Sequence, residues 1–433
     1  MREGSTLAIE TSCDDTSVAV LVISGHQNRT SLRSEVLFHE KITANSHSHG
    51  GIHPLVALDS HTRELGGLVQ KALRQLALSP ARKEWKPDFV SVTRGPGMRS
   101  NLNVGLHVAK GLALAWNVPL VGVHHMQAHA LTARLCATLE AQEGMGRTDL
   151  RPRFPFLSLL VSGGHTMLID SQALVDHRIL VETQDIAIGD FLDKAARAIL
   201  TEAELKAPYG RALETFADPS GSWDYSWYTP PEGRQQELDR RPTEYGWSLG
   251  PPLADSKFGE KSNRRMIYSF SGLLSTVQRL TGRGAKDGGS TPMSTPERRE
   301  LAREAQRVAF EHLGSRILLY LQSQRSLSPA TPLPEMIVVS GGVASNQFLR
   351  HVLRSMLDVR GYSNIQLLFP PVELCTDNAL MIAWAGMEMF DAGHESELSI
   401  EPLRKWSMDP AAEDGGILGV GGWSAVQRPG HQE

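Results

Sequence analysis

The chain has little of several features that mark large classes of protein. Its 433 residues include three cysteines, Cys13, Cys136 and Cys375, too few and too widely spaced for a disulfide framework or a paired-cysteine zinc site. The formal net charge is −4, so no overall basicity points to nucleic acid, which does not exclude a local basic patch. No apolar run approaches the length of a membrane span. These absences favour a globular protein of a reducing compartment.

A pair of histidines is the most informative feature that is present. His125 and His129 lie four residues apart, and on an α-helix this spacing places both imidazoles on one face, about 6 Å apart along the axis. Two neutral imidazoles in this arrangement can bind zinc or another transition metal. The alternative is two histidines on a partly exposed helix face with no ligand, and the spacing alone does not decide between them.

Short apolar runs that alternate with glycine turns and helical patterns predict an α/β protein. Residues 7–9 and 18–23 are expected to form a β-hairpin with a polar tip, and residues 156–161 and 166–169 a second hairpin around a Ser-Gly-Gly-His turn. Strand–turn–helix units follow each hairpin, and backbone N–H groups at such turns can bind an anion. The repetition predicts a duplicated fold with two lobes around a central cleft that the glycine turns line.

The same patterns predict the domain boundaries. We expect one lobe at residues 1–152, joined by a helix within residues 379–407, and a second lobe at residues 153–378. Residues 218–262 are rich in Pro, Gly, Trp, Tyr and charge but show little periodicity, which predicts a long surface insertion. The polar, Gly-rich residues 408–433 are expected to form a loose tail.

Motifs in a fixed order, covering most of residues 5–407, resemble those of one family. They are residues 9–16 (IETSCDDT), 94–97 (RGPG), 124–129 (HHMQAH), 160–166 (LVSGGHT), 193–194 (DK), 268–273 (YSFSGL), 340–346 (SGGVASN) and 375–378 (CTDN). A single Ser-Gly-Gly means little, but the ordered set is specific. The chain resembles the TsaD family of tRNA adenosine threonylcarbamoyltransferases, which implies two lobes of the actin/sugar-kinase/Hsp70-like (ASKHA) superfold.

The resemblance implies a reaction, its partners and a cellular location. A threonylcarbamoyl group moves from threonylcarbamoyl-AMP, supplied by a separate synthase, to N6 of the adenosine just 3′ of the anticodon in tRNAs that decode ANN codons, and AMP is released. Residues 186–194 (IAIGDFLDK) resemble the mitochondrial branch, which implies a homodimer in the mitochondrial matrix. Strand-like sequence begins at Leu7, so we expect no presequence in this chain.

The resemblance also implies one divalent metal ion per subunit, held by His125, His129 and Asp377. Two imidazoles and one carboxylate suit zinc, iron or manganese and leave coordination positions for substrate oxygens. For Asp377 the alternative role is the N-cap of the following helix. The catalytic residues beyond the metal site are unknown, and Asp14 and Glu10 of the first motif are the candidates.

An adenine nucleotide or threonylcarbamoyl-AMP is expected to bind at glycine loops of the second lobe. Glycines let backbone N–H groups approach a phosphate or carboxylate without a Cβ in the way. The alternatives are simple turns, an N-cap at Asn346 and an ion pair of Asp193 with Arg197. Gly210 and Glu214 match less well, because the family's usual Tyr-Pro-Gly-Gly-Pro is missing there. The expected binding residues are Leu160, Val161, Ser162, Gly163, Gly164, Asp193, Gly210, Glu214, Gly341, Gly342 and Asn346.

Two groups of residues have a functional and an ordinary interpretation. Basic residues around the YSFSGL motif could contact tRNA phosphates, although a solvated surface explains each one singly. They are Lys257, Lys261, Arg264, Arg265, Arg279, Arg283 and Lys286. A histidine-rich stretch is predicted to be a surface segment, with a second metal site as the less favoured alternative. Its members are His47, His49, His53 and His61.

Other classes of function fit part of the pattern. A metalloprotease needs a glutamate between its paired histidines, whereas Met126, Gln127 and Ala128 stand there. A small-molecule kinase or carbamoyltransferase of the same superfold shares the phosphate loops but has no obvious need for paired histidines. A non-catalytic nucleotide-binding scaffold is disfavoured because all three candidate metal ligands are present.

Overall fold

The computed structural model describes residues 3–25, 32–45, 53–78, 86–140, 150–254, 262–282, 293–327 and 333–426. The chain divides into two compact units. Unit 1 comprises Met1–Pro155, Ser171–Arg178 and Glu373–Glu433, and unit 2 comprises Phe156–Asp170 and Ile179–Val372. No helix within the described ranges combines the length and the apolar sequence that crossing a membrane requires.

Unit 1 is built on one mixed sheet. Its strands are β1 (Gly4–Glu10), β2 (Asp15–Gly25), β3 (Leu32–Thr43), β4 (Phe89–Gly95), β5 (Leu120–His124), β11 (His394–Ser396) and β12 (Trp423–Ala425). They form a seven-stranded sheet in the order β12-β11-β5-β4-β1-β2-β3. The first three strands form an antiparallel meander, and β4 and β5 continue the sheet in parallel with β1.

Helices cover this sheet and form the core of unit 1 with it. They are α1 (Pro54–Leu78), α2 (Arg99–Trp116), α3 (His125–Glu140) and α11 (Ala379–Asp391), preceded by the short α10 (Val372–Cys375). On α1 the buried residues recur every three or four positions, as in Leu65, Leu68 and Leu76, so one face packs on the sheet. By contrast, α3 and α11 are buried on almost every side, and polar side chains on them are shielded from water.

Unit 2 contains the second sheet. Its strands are β6 (Phe156–Val161), β7 (Thr166–Ala173), β8 (Asp176–Glu182), β9 (Met336–Ser340) and β10 (Gln366–Leu368). Residues 171–178, which include the end of β7 and the start of β8, are grouped with unit 1. The sheet order is β10-β9-β6-β7-β8, and β9 is parallel to both β6 and β10. The helices are α4 (Ile188–Ile199), α5 (Tyr209–Ala217), α6 (Arg234–Leu238), α7 (Ser271–Gly282), α8 (Thr295–Leu327) and α9 (Gln347–Val359).

The two sheets share one strand order. If the strands of each sheet are numbered by their order along the chain, they lie side by side in the order third, second, first, fourth and fifth. In both sheets the first strand is parallel to the fourth. In unit 1, β11 and β12 extend the sheet beyond the fifth strand. This repeat confirms the predicted duplicated α/β fold.

Two segments are more ordered than their composition suggests. Within residues 218–254, Tyr225, Tyr228 and Trp247 are buried, and the Tyr225 ring lies 5.0 Å from that of Phe348 on α9. Residues 408–426 include β12 and buried apolar side chains such as Met408. The remaining parts of the two predicted segments, residues 255–261 and 427–433, lie outside the described residues.

Candidate functional site

The paired histidines lie in the first two turns of α3, directly after β5 ends at His124. His129 Nε2 is 3.1 Å from Asp377 Oδ1, and His125 Nε2 is 3.5 Å from the same oxygen. The candidate ligand atoms of the three residues all lie within 4.8 Å of one another. These residues could therefore hold a metal ion, and two imidazoles with one carboxylate fit the donor set that zinc, iron or manganese accepts.

Asp377 faces the histidines because its neighbour caps the helix. Asn378 is the N-cap of α11, and its side-chain oxygen accepts the N–H of Met381 at 3.0 Å. The alternative prediction, that Asp377 caps this helix, is therefore wrong. The Asp377 side chain is 24% exposed, whereas those of His125 and His129 are 6% and 9% exposed, so the group meets solvent mainly on its carboxylate side.

A second carboxylate, Glu10, lies behind His125. Glu10 Oε2 is 3.2 Å from His125 Nδ1, so the imidazole donates its Nδ1–H to Glu10 and leaves Nε2 for a metal. Glu10 is fully buried, and it also accepts the Ser12 N–H and the Thr93 hydroxyl, each at 2.5 Å. A carboxylate paired with a metal-binding histidine in this way fixes the tautomer and the orientation of the ring.

The two carboxylates and His125 shift one another's pKa. Burial by itself would lower the pKa of His125, but the charges of Asp377 and Glu10 raise it to about 10. Burial would raise the pKa of both carboxyl groups, but attraction to His125 and a hydrogen bond from it lower both, that of Asp377 well below its usual range. The two carboxylates therefore favour the protonated form of His125, and a metal ion bound there would have to displace the Nε2 proton.

The turn at Ser162 joins β6 to β7 in unit 2. Leu160 and Val161 are buried strand residues, whereas Gly163 and Gly164 are exposed. Ser162 Oγ accepts the N–H of Gly164 at 3.3 Å, which helps to close the turn. A Cβ on either glycine would meet no atom within 4 Å. The turn therefore presents bare backbone next to open space.

A series of contacts connects this turn to α4 and α5. Gly189, at the start of α4, donates its N–H to the carbonyl of Ser162 at 3.1 Å. One turn further along α4, Asp193 accepts the N–H of Gly210 at 2.9 Å, and burial raises the pKa of this carboxyl group. Arg197, the alternative partner of Asp193, lies over the Tyr209 ring at 4.8 Å.

The series continues from α5 to the start of α9. Glu214 is buried, and its carboxylate accepts the N–H of Gln347 at 2.7 Å. Asn346 is the N-cap of α9, because its side-chain oxygen accepts the N–H of Leu349 at 2.9 Å. The alternative role predicted for Asn346 is therefore confirmed, and its contact with a nucleotide stays a prediction.

Gly341 brings the second glycine loop against the first. Its φ is +99°, and a Cβ there would lie 2.3 Å from the carbonyl oxygen of Val161, so only glycine fits. Leu160 pairs with Ser340 across β6 and β9, so both loops leave the same edge of the sheet. Gly342 opens a short 3-10 turn with free space around its Cα. The residues predicted to bind the nucleotide thus come together at one edge of unit 2.

Comparison with known proteins decides the family. A family model described as TsaD, tRNA N6-adenosine threonylcarbamoyltransferase, matches residues 35–384. The chain belongs to the TsaD family. It is 36% identical over 98% of its length to the mitochondrial tRNA N6-adenosine threonylcarbamoyltransferase of Schizosaccharomyces pombe, of which it covers 89%. A TsaD relative named tRNA N6-adenosine threonylcarbamoyltransferase from Rhizobium etli is 34% identical, with 96% of each chain covered.

Solved structures outside the TsaD family resemble the chain weakly. Component A of (R)-2-hydroxyglutaryl-CoA dehydratase from Acidaminococcus fermentans aligns with 88% of this chain and 96% of its own, at 12% identity and a TM-score of 0.40. HypF of T. kodakarensis aligns with 89% of this chain and 48% of its own, at 11% identity and the same TM-score. Such values carry no argument about function.

Membership of the TsaD family confirms the predicted family and makes the protein a transferase.

Two residues that support the loops of unit 2 are not singled out by the sequence analysis. A Cβ on Gly189 would lie 2.7 Å from the backbone of Ser162 and Gly163, so α4 packs on the first loop only because residue 189 is glycine. Asp185 accepts hydrogen bonds from Ser269 and Ser271. Both stand in family-like stretches, but their roles depend on contacts that no local pattern reveals.

The remaining predicted residues have mixed outcomes. Arg264, Arg265 and Arg279 are exposed on unit 2, which leaves them available to tRNA. His61 is fully buried, so the prediction of a surface segment is wrong at that position. Some predicted residues lie outside the described ranges: Lys257, Lys261, Arg283, Lys286, His47 and His49.

Proposed function

We propose that the protein transfers the threonylcarbamoyl group of threonylcarbamoyl-AMP to N6 of the adenosine just 3′ of the anticodon in ANN-decoding tRNA, and releases AMP. The observation that carries the proposal is the group His125, His129 and Asp377 in a chain of the TsaD family. Relatives that match nearly the whole chain are named for the transfer to tRNA.

His125 Nε2, His129 Nε2 and Asp377 would hold one divalent ion of zinc, iron or manganese. When bound, the ion would supply positive charge for the phosphate oxygens of the adenylate. Glu10 orients His125 through Nδ1 and adds a negative charge next to the site. The buried histidines would fix the position of the ion, while the partly exposed Asp377 would leave a side open to substrate.

The glycine loops of unit 2 would bind the nucleotide. The exposed backbone of Gly163 and Gly164, and the open space at Gly342, suit a phosphate or carboxylate group. Leu160 and Val161 would contribute through the backbone, because their side chains are buried. The contacts at Asp193, Gly210, Glu214 and Gly341 hold these loops in place, and Asp193 and Glu214 carry carboxylates that suit ribose hydroxyls.

The transfer itself needs a proton acceptor. N6 of the adenosine attacks the carbamoyl carbon, the bond from that carbon to the phosphate oxygen breaks, AMP keeps the oxygen, and N6 loses one proton. Burial and the neighbouring Asp15 raise the pKa of the half-buried Asp14, which strengthens its carboxylate as a base. Glu10 is already occupied by hydrogen bonds from Ser12, Thr93 and His125. We therefore assign proton acceptance to Asp14 and orientation to Glu10.

Reconstitution tests this function directly. The protein is incubated with threonine, bicarbonate, ATP, a threonylcarbamoyl-AMP synthase and unmodified tRNA, and digested tRNA is analysed for threonylcarbamoyladenosine. The modified nucleoside should appear only when the protein is present, and only in tRNA that carries adenosine 3′ of the anticodon. Product formed equally without the protein, or on a tRNA with another base there, would exclude the proposal.

We also propose that the protein is a homodimer in the mitochondrial matrix. The relative from Schizosaccharomyces pombe that matches 98% of the chain is the mitochondrial form, which supports this location. Light scattering on the purified protein should give about twice the monomer mass of 47.5 kDa. Fractionation of cells that produce the full-length gene product should place it in the mitochondrial matrix.

A further inference from the structure

The turn between β1 and β2 is held from outside by side chains of two helices. The carbonyl oxygen of Cys13 accepts a hydrogen bond from His61 Nε2 on α1 at 3.0 Å and another from Asn101 Nδ2 on α2 at 2.8 Å. The side chains of His61 and Asn101 are fully buried. Two buried donors on one carbonyl oxygen saturate its lone pairs and fix the peptide in a single orientation.

The tautomer of His61 follows from its partners. A carbonyl oxygen can only accept, so Nε2 carries the hydrogen and Nδ1 accepts from the hydroxyl of Thr16 at 2.8 Å. Burial lowers the pKa of His61, which agrees with a neutral imidazole. His61 thus connects Cys13, in the turn, with Thr16, at the start of β2.

Asn101 acts on the other side of the same turn. Its backbone carbonyl oxygen accepts the hydroxyl of Thr11 at 2.9 Å, while its side-chain Nδ2 donates to the Cys13 carbonyl, so the two contacts lie on either side of Ser12. The helix that carries Asn101 lies very close to the turn, because a Cβ on Gly105 would be 2.6 Å from Thr11 Oγ1. The turn has little freedom to shift relative to α2.

The contacts at Thr11 and Cys13 fix the position of Ser12, which lies between them. Its N–H is bound to Glu10 Oε1 at 2.5 Å, and its Oγ lies 3.3 Å from His125 Nδ1. Glu10 Oε2 in turn lies 3.2 Å from the same imidazole nitrogen. The geometry points to His61 and Asn101 as positioning residues, which orient the ligand His125 through the Cys13 carbonyl, Ser12 and Glu10. This inference rests on the proposed role of His125 as a metal ligand.

Substitution of His61 tests the inference through metal affinity. His61→Leu removes both hydrogen bonds, whereas His61→Gln keeps an amide donor that can reach the Cys13 carbonyl. Loss of outer partners of a metal-binding histidine typically weakens metal binding by about 10- to 100-fold. We expect the zinc dissociation constant, measured by competition with a chromophoric chelator, to rise about tenfold in His61→Leu and to return most of the way in His61→Gln.

His177 offers a matched control in the same unit. It is also fully buried, its Nδ1 pairs with Ser171 Oγ at 2.9 Å, and its Nε2 pairs with the carbonyl of Leu174 at 2.8 Å. His177→Leu therefore removes the same kinds of hydrogen bond at a place that does not contact Glu10, Ser12 or His125. It should lower the melting temperature without changing zinc affinity. Equal losses of zinc affinity in His61→Leu and His177→Leu would overturn the inference, because both would then be general effects of destabilisation.

A metal-free measurement separates this inference from the proposed function. In protein with ¹⁵N-labelled histidine, the Nδ1–H signal of His125 reports its hydrogen bond to Glu10. We expect this signal to shift or broaden in His61→Leu and in Asn101→Leu, and to stay in place in His177→Leu. An unchanged signal in both of the first two variants would refute positioning. Wild-type protein that binds no zinc but shows the expected shifts would refute the metal role and keep the positioning.

Discussion

The two sheets have the same strand order, yet the turns after their first strands present different chemical groups. In unit 1 the turn after β1 lies beside buried carboxylate and imidazole groups, with Glu10 0% exposed. In unit 2 the turn after β6 exposes Gly163 and Gly164 and presents backbone. Side-chain oxygen and nitrogen atoms attract a cation, whereas backbone N–H groups attract an anion.

The difference shows how a duplicated fold can present two kinds of binding chemistry. A fixed strand order places a turn at the same point of each sheet, and only the residues on and around that turn decide its chemistry. The following predictions test whether the first turn depends on side chains and the second on backbone.

The largest effect is expected for His129→Ala in unit 1. The variant loses one of the three proposed ligands, so its zinc affinity should fall by more than the ~100-fold that loss of an outer partner causes, and little zinc should stay bound after dialysis. His107→Ala, at an exposed position of α2, is the control and should keep its zinc. Atomic absorption measures the zinc content of both variants. Unchanged metal content in His129→Ala would show that metal binding in unit 1 does not depend on this side chain.

Gly341→Ala should destabilise unit 2 through its backbone. The added methyl would lie 2.3 Å from the Val161 carbonyl at a φ of +99°, so we expect a loss of about 3 kcal/mol in the free energy of unfolding. Gly342→Ala adds the same methyl where nothing lies within 4 Å and should change stability by less than about 0.5 kcal/mol. Urea unfolding measures the stability of both variants. Equal stabilities would show that the loop at Gly341 does not pack on Val161 as described.

The pH dependence of stability should reveal His177, one of the buried neutral histidines of unit 1. Burial lowers the pKa of His177 to about 4 from an unfolded value near 6.5. The unfolded chain therefore binds the proton first, so this contribution is complete above pH 6.5 and is lost as the pH falls towards 4. Between pH 7.5 and 5 the loss is about 2 kcal/mol. His177→Gln should be less stable at pH 7 but should lose correspondingly less on acidification.

The smallest effect is expected at the glycine turn of unit 2. Gly163→Ala places a methyl in open space, so stability should stay within about 0.5 kcal/mol of the wild type. The methyl stands where a phosphate would approach the backbone, and AMP affinity, measured by calorimetry, should fall about tenfold, or ~1.4 kcal/mol. Gly111→Ala, in open space on α2, should leave AMP affinity unchanged. A similar AMP affinity in both variants would show that the nucleotide does not bind at this turn.

Local patterns predicted much of the fold and part of the site. The strand at residues 156–161 was predicted with the bounds that β6 has, because an apolar run followed by Ser-Gly-Gly is a strong local signal. By contrast, α2 begins at Arg99, three residues before the apolar helical pattern starts at Leu102, since no capping side chain marks the start of this helix. The histidine pair was found from its spacing alone.

The contacts that complete the site were beyond local patterns. Asp377 is identified only through the family resemblance, and the cap that the sequence offers as its alternative role belongs to the neighbouring Asn378, which frees Asp377 to face the histidines. The roles of Glu10 and His61 depend on partners 115 and 48 residues away in the sequence. Neither separation leaves a periodic signal in the chain.

His129 and Asp377 are 248 residues apart, and both belong to unit 1. On the ribosome, the two histidines emerge long before the carboxylate does, and all of unit 2 is made in between. A nascent chain can therefore offer a metal ion only two of the three proposed ligands until Asp377 has emerged. Loading of the ion would then occur only after α11 has joined unit 1, so that a chain truncated before Asp377 would stay unmetallated.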